Sequence, residues 1–308
     1  MKIIIYGAGD FGTMLCSQIM QEQNHMRGGS NTIVAVVDSN PQVQGLVLFE
    51  KYTVLAPESI LELEYDQILV SASEEQAKFF ITHKLAQMGV TFDKIKFGKP
   101  TFQLTSDSYR DDDPHPWRIE TARNFNNLQI PGNVAECGVF RGTFAKRLNR
   151  LFYDRKLFLF DTFEGFSDES LMNENNRFYC GEFTNWVIAR NKNGKNWHSD
   201  TSVDYVMSLM PFPKQVIIKK GLVPDTFAGV EDTFAFVSLD MDIYEPTFEA
   251  LKFFWDKMSK GGMLLLHDYY YSWLPGIELA VKDFEQWLGA KVAKFAVRDV
   301  CSLAIIKN

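Results

Sequence analysis

Short apolar runs alternate along this chain with stretches in which apolar residues recur every three or four positions. The first run is KIIIY at residues 2–6, followed by GAGDFG and an amphipathic stretch from Asp10 to about His25. TIVAVVD comes next and ends at Asp38, and QILVSAS (67–73) leads into EEQAKFFITHKLAQMG (74–89). Continuous β-branched runs read as buried strands, and a period of 3.6 reads as a helix. The alternation predicts a small parallel sheet, with Gly89 placed as a helix-terminating glycine.

From Gly98 to Pro116 the periodicity fails, and KPTFQLTSDSYRDDDPHP mixes prolines, small polar residues and an acidic triplet. Such composition marks a linker, set here at 100–117 between a domain at 1–99 and a second at 118–308. WRIETARNFNNL (117–128) resumes a helical pattern, and NVAEC, KLFLF, QVIIKK, FAFVSL and GMLLLH then each read as a buried strand. The last residues, KVAKFAV and VCSLAIIKN, flank Arg298 and Asp299. Two strands about a two-residue turn predict an antiparallel hairpin. Residues 165–213 hold no strong strand and are rich in Asn, Trp and Phe. An insertion of that size suggests a lid or substrate-binding segment. The expected fold class is α/β, with two Rossmann-like domains.

Composition narrows the partners. A chain of 308 residues has room for two domains at roughly 100–200 residues each. The net charge of −7 argues against nucleic acid or an anionic membrane as partner. Cys16, Cys137, Cys180 and Cys301 show no paired spacing, which suits a reduced, cytoplasmic compartment. No run approaches the ~18 apolar residues of a membrane span. A homo-oligomer is expected.

Two glycine loops carry candidate chemistry. Gly7, Gly9 and Gly12 match G-x-G-x-x-G between a strand and a helix, with Asp38 ending the next strand. This is the pattern of a nucleotide or nucleotide-sugar site, in which the helix N-terminus meets phosphate and the acid meets ribose; a Rossmann module that keeps its glycines only for packing has the same pattern. The second loop is AECGVFRG, where Glu136 and Cys137 end a strand and Gly138 and Gly142 follow. The next strand ends at Asp161-Thr162 in FDTFEGF. Asp161 suits ribose hydroxyls, but an acid directly before the glycines would repel a pyrophosphate and attract a sulfonium. That points to S-adenosylmethionine rather than a dinucleotide.

A third feature is VSLDMDIYEP, an apolar run that stops at Asp240 and Asp242, and GGMLLLHDYY, which ends at His267-Asp268. If these strands are neighbours, the acids crowd together. Uncompensated carboxylates are costly there, which motivates a cation. Turn formation alone accounts for Glu245-Pro246 at the start of a helix.

AECGVFRG, FDTFEGF, LDMDIYEPT and GGMLLLHDYY together resemble the macrocin and mycinamicin O-methyltransferase family, over roughly residues 118–308. The resemblance implies the class I methyltransferase version of the doubly wound sheet, ending in an antiparallel hairpin. It implies methyl transfer from S-adenosylmethionine to a sugar hydroxyl. It also implies a divalent metal, usually magnesium, held by Asp240 and Asp268, with Asp242 a further ligand or the base. Here the chain departs from the family, because His267 stands where the family has an acid. His267 either tilts the site toward manganese, iron or zinc as a ligand, or acts as the base. Tyr244, Tyr269 and Tyr270, with Trp186, Trp197 and His198 in the insertion, are candidates to stack on the acceptor. Two other readings stay open: an NAD(P)-dependent oxidoreductase running on GAGDFG, and a non-catalytic nucleotide-sugar-binding protein.

Overall fold

The computed structural model describes residues 1–24, 31–72, 75–98, 116–178, 198–299 and 301–308. The linker expected at 100–117 therefore lies outside the described residues apart from its last two, as do Trp186 and Trp197. The chain divides into two units: residues 1–98 with Pro211–Pro213, and the remainder from residue 116.

In the first unit the strands are β1 (Lys2–Tyr6), β2 (Thr32–Val37), β3 (Val47–Leu48), β4 (Tyr52–Leu55), β5 (Gln67–Val70) and β6 (Ile95–Phe97). They form one sheet in the order β3-β4-β2-β1-β5-β6. All neighbours run parallel except β3 and β4. Helices α1 (Asp10–Asn24) and α2 (Glu75–Gln87) supply its covering layers. KIIIY is apolar throughout because both its faces are covered: Ile3 and Ile5 cluster with Leu15 and Ile19, while Ile4 and Tyr6 cluster with Ile68 and Leu85. Strands apolar on both faces are the mark of a parallel sheet. The short β3, β4 and β6 carry too few residues to show a period, and the sequence does not announce them.

The second unit contains α3 (Pro116–Asn126), β7 (Asn133–Cys137), α4 (Thr143–Leu151), β8 (Leu157–Asp161) and α5 (Asp168–Phe178). It continues through α6 (Val203–Ser208), β9 (Val216–Lys220), β10 (Phe234–Leu239), α7 (Tyr244–Lys257) and β11 (Met258–Leu266). It closes with α8 (Pro275–Leu288), β12 (Ala293–Ala296) and β13 (Leu303–Ile306). The sheet order is β12-β13-β11-β10-β7-β8-β9. All five expected central strands are present and parallel, and β13 is antiparallel to both β11 and β12. This is the doubly wound α/β sheet with its terminal hairpin. From β7 the chain steps outward through β8 and β9, and from β10 it steps the other way. The strand ends of β7 and β10 therefore flank the point where the order reverses, which is where such sheets bind ligands.

The hairpin connection corrects one expectation. It is not a two-residue turn: β12 stops at Ala296 and β13 starts at Leu303. The Asp299 carboxylate accepts the N–H groups of Cys301 at 3.2 Å and Ser302 at 2.6 Å. A side chain that satisfies backbone donors in this way stabilises a longer turn. No described helix is long and apolar enough to cross a membrane.

Candidate active site

A cavity of about 560 Å³ opens at the C-terminal ends of β7, β8, β10 and β11, lined by Glu136, Gly138, Asp161, Thr162, Asp240, Asp242, His267 and Asp268 among others. The loop after β7 passes close to the end of β10, where the Asp240 N–H donates to the Cys137 carbonyl at 2.8 Å. Gly138 has φ +83°, and a Cβ there would collide with the Asp240 carbonyl oxygen. Glycine is thus the only residue that keeps the two strand ends in contact. Asp161 closes the loop from the other side: its Oδ2 accepts the N–H groups of Val139 at 2.6 Å and Phe140 at 2.8 Å.

Opposite lies a cluster of acids. Asp240, Asp242 and Asp268 each offer a carboxylate oxygen, all within 4.8 Å of one another. Asp242 and Asp268 sit at φ +62° and +61°. That left-handed backbone costs a non-glycine residue of order 1–3 kcal/mol and collects at functional sites. His267 Nδ1 stands 3.1 Å from Asp240 and 2.9 Å from Asp268. Arg118, from α3, places Nη1 2.8 Å from Asp240 Oδ2 and Nη2 3.1 Å from Ser238 Oγ. Its guanidinium also lies over the Phe144 ring at 4.3 Å.

The electrostatics follow from this crowding. Burial pushes Asp240 upward, but His267 and Arg118 outweigh it and hold its carboxyl below the usual range. Burial also opposes the charge on His267, yet Asp240 and Asp268 keep its imidazole more basic than usual. Asp242 is less well compensated: burial and then the charges of Asp268 and Asp240 push its carboxyl well up against the weaker pull of His267.

Not every expected site residue meets the cavity. Cys137 is fully buried in the core with Phe158 and Phe160. Gly142 caps α4 with φ +73°, against Val206. The Tyr244 hydroxyl donates to Asp283 at 2.8 Å, and its ring lies under the Arg177 guanidinium. Tyr269 packs on the core and Tyr270 is half exposed beside it. None of these five lines the cavity. The sequence reading passed over Arg118, which sits in a helix without a motif, and Phe140 and Phe166. Those two rings line the cavity and flank His198, with centroids 4.3 and 6.0 Å from its imidazole.

In the first unit, GAGDFG forms a similar loop. Gly7 has φ +114°, and a Cβ on Gly12 would collide with the Gly7 carbonyl oxygen, whereas one on Gly9 meets nothing within 4 Å. Asp38 accepts the Ala8 N–H at 2.7 Å and the Asn40 N–H at 2.8 Å. Its carboxylate closes the glycine loop, as Asp161 does in the second unit.

Residues 119–297 match the family described as macrocin-O-methyltransferase (TylF). The chain belongs to the macrocin-O-methyltransferase family. It is an S-adenosylmethionine-dependent O-methyltransferase, which overturns the reading as an oxidoreductase or a non-catalytic binder. Residues 1–96 match a family described as C2185-like, N-terminal. Among solved structures, the O-methyltransferase NovP is similar to this macrocin-O-methyltransferase family member at 22% identity. The match covers 62% of this chain and 80% of NovP, with a TM-score of 0.50, and it bears on the fold. CalS11, a calicheamicin methyltransferase, is 15% identical over 76% of this chain and 94% of its own, with a TM-score of 0.44. No curated protein matches the chain.

Proposed function

We propose that this macrocin-O-methyltransferase family member methylates a sugar hydroxyl with the assistance of a divalent cation held by Asp240 and Asp268. The observation that carries the reading is the acid cluster, facing the same cavity as Glu136 and Asp161. The donor set fits a hard cation: its atoms are carboxylate oxygens, which magnesium prefers. Asp242, raised by burial and then by its acidic neighbours, stands where a cation would offset negative charge.

Glu136 and Asp161, with Gly138 and Thr162, would hold S-adenosylmethionine, the acids facing the sulfonium and ribose ends. The cavity rings of Phe140, Phe166 and His198 offer flat faces for adenine or sugar. Methyl transfer is an in-line displacement: the acceptor oxygen forms the new C–O bond as the C–S bond breaks. The sulfur leaves with the electron pair, and the hydroxyl proton must go to a base. A bound divalent cation would lower the pKa of the acceptor hydroxyl and fix its line of attack. Asp242 is the base in this reading, a carboxylate that lines the cavity beside Asp268. His267, with Nδ1 held by two carboxylates, orients Asp240 and Asp268.

The test is labelled methyl transfer to a panel of free, nucleotide-linked and macrolide-linked sugars, before and after EDTA. Transfer to some member that vanishes with EDTA and returns with magnesium is the expected result. Transfer unaffected by EDTA would remove the cation from the mechanism. Bound S-adenosylhomocysteine with no methylated sugar would remove the acceptor class.

A further inference from the structure

Helix α2 of the first unit is apolar on both sides. Leu85 and Ile81 face inward, onto the cluster of Ile68, Val70 and Ile95. The outer face carries Gln76, Phe79, Phe80, His83 and Gln87, all exposed, within an arc of about 100° at 3.6 residues per turn. No charged side chain stands in that arc, and Lys84 at its flank is paired with Glu58 at 3.0 Å. A surface helix of a globular protein normally turns its charges to water there, and one that is apolar all round is a covered helix. Phe79 is 66% exposed and Phe80 61%, with their rings edge to face at 5.9 Å and Phe79 stacked on His83. Phe97 of β6, 54% exposed, lies on the same face of the sheet as Ile95, with Lys78 Nζ 6.0 Å from its ring.

We propose that this outer face of α2, with Phe97, is the interface of a homodimer, the two α2 helices packing antiparallel across a two-fold axis. The face is self-complementary, as an interface of this symmetry must be. Gln76 stands as far from the middle of the stripe as Gln87, and Phe80 as far as His83. An antiparallel copy therefore sets Gln76 against the partner's Gln87, amide to amide, and Phe80 against the partner's His83, ring to ring. Charge points the same way: two chains of net charge −7 repel one another, and this face lets them meet without opposing like charges. Area suffices as well. At roughly 200 Å² per ring, the exposed parts of Phe79, Phe80 and Phe97 would remove about 800 Å² from water in a symmetric pair. Gln76, His83 and Gln87 carry it to the ~1,000 Å² that a specific interface needs. The contact is between helix faces rather than strand edges, because Lys96 in the middle of edge strand β6 would meet its own copy if the sheets joined.

Sedimentation of the full-length protein at micromolar concentration is the test, in low and in molar salt. The expected result is a particle of twice the chain's mass in both, since an uncharged contact gains nothing from weak screening. Phe80→Glu sets like charges across the axis, and Phe79→Lys sets one against the partner's Lys84. Each should raise the dissociation constant by about a hundredfold or more. Unchanged melting and unchanged affinity for S-adenosylhomocysteine show that a variant is folded. Phe295→Glu, which charges the half-exposed ring of β12 in the second unit, should leave the dimer intact. A monomeric wild type overturns the proposal and leaves the face to another segment of this chain or to a different protein. So does a dimer that survives both Phe80→Glu and Phe79→Lys, or one lost in Phe295→Glu.

Discussion

Arg118 Nη1 lies 2.8 Å from Asp240 Oδ2, a buried ion pair joining residues 122 positions apart in the chain. Its partner stands at the end of β10, and its own helix, α3, opens the second unit. The pair determines which Asp240 oxygen remains for the cavity: Oδ2 is taken by the guanidinium, and Oδ1 faces His267.

Arg118→Met should therefore remove one of the two cationic partners of Asp240 and leave its Oδ2 without the guanidinium, with His267 still beside Oδ1. Breaking a buried pair by removing one partner costs about 3 kcal/mol or more. Denaturant unfolding should show a loss of that order, with a fall in transfer rate. Arg118→Lys should recover only part of it, because a single ammonium cannot serve both Asp240 and Ser238 in the geometry of the fork.

Asp242→Asn should lower the rate of methyl transfer by about 10²–10⁴, the usual contribution of a general base. Calorimetry should find affinity for S-adenosylhomocysteine unchanged. Asp240→Ala should abolish transfer and likewise spare donor binding; equal loss of both would make Asp240 a structural residue only.

The glycines of the two loops should not respond alike. Gly9→Ala should be tolerated, since its Cβ would meet nothing within 4 Å. Gly12→Ala and Gly138→Ala would each drive a Cβ into a backbone carbonyl oxygen, on Gly7 and Asp240 respectively, so backbone must move. Thermal unfolding of the three variants checks the order. A Gly138→Ala protein as stable as the wild type would contradict the contact between β7 and β10.

Glu174 gives a pH dependence. It is buried, its Oε2 accepts the Tyr244 N–H at 2.9 Å, and burial pushes its carboxyl up to about 7 against the opposing pull of that hydrogen bond and Arg177. The folded state therefore holds this proton more tightly than the unfolded chain. Stability from this group should be fullest below the ordinary value of 4.5, fall as pH rises, and level off above about 7. Glu174→Gln removes the ionisation. It should raise stability at pH 8 by up to roughly 3 kcal/mol and change it little at pH 4. Melting curves at the two pH values decide, and an equal shift at both would exclude ionisation as the cause.

Much of the second unit was legible before folding. KLFLF, FAFVSL and GMLLLH are apolar on nearly every residue, because a central parallel strand buries both faces, while QVIIKK, on the edge strand β9, keeps only a three-residue apolar run. Such a signal needs only local composition. The acids Glu136, Asp161, Asp240, Asp242 and Asp268 stood out because a carboxylate at the end of a buried strand has no packing reason to be there. Tyr244, Tyr269 and Tyr270 misled for the converse reason: an aromatic residue near a site suits stacking and core packing equally, and only its neighbours decide.

The sequence by itself determined the longer strands, the glycine turns and the acids at the strand ends, since these follow from local periodicity, backbone freedom and the cost of burying charge. Tertiary structure alone decided that Arg118 would pair with Asp240, that His267 would face carboxylates on one side and the Cys301 thiol on the other, and that Asp242 would crowd against Asp268 and Asp240. Each of those outcomes depends on distances between residues far apart in the chain. Those distances are set by strand order and register, which hydrophobic periodicity does not encode.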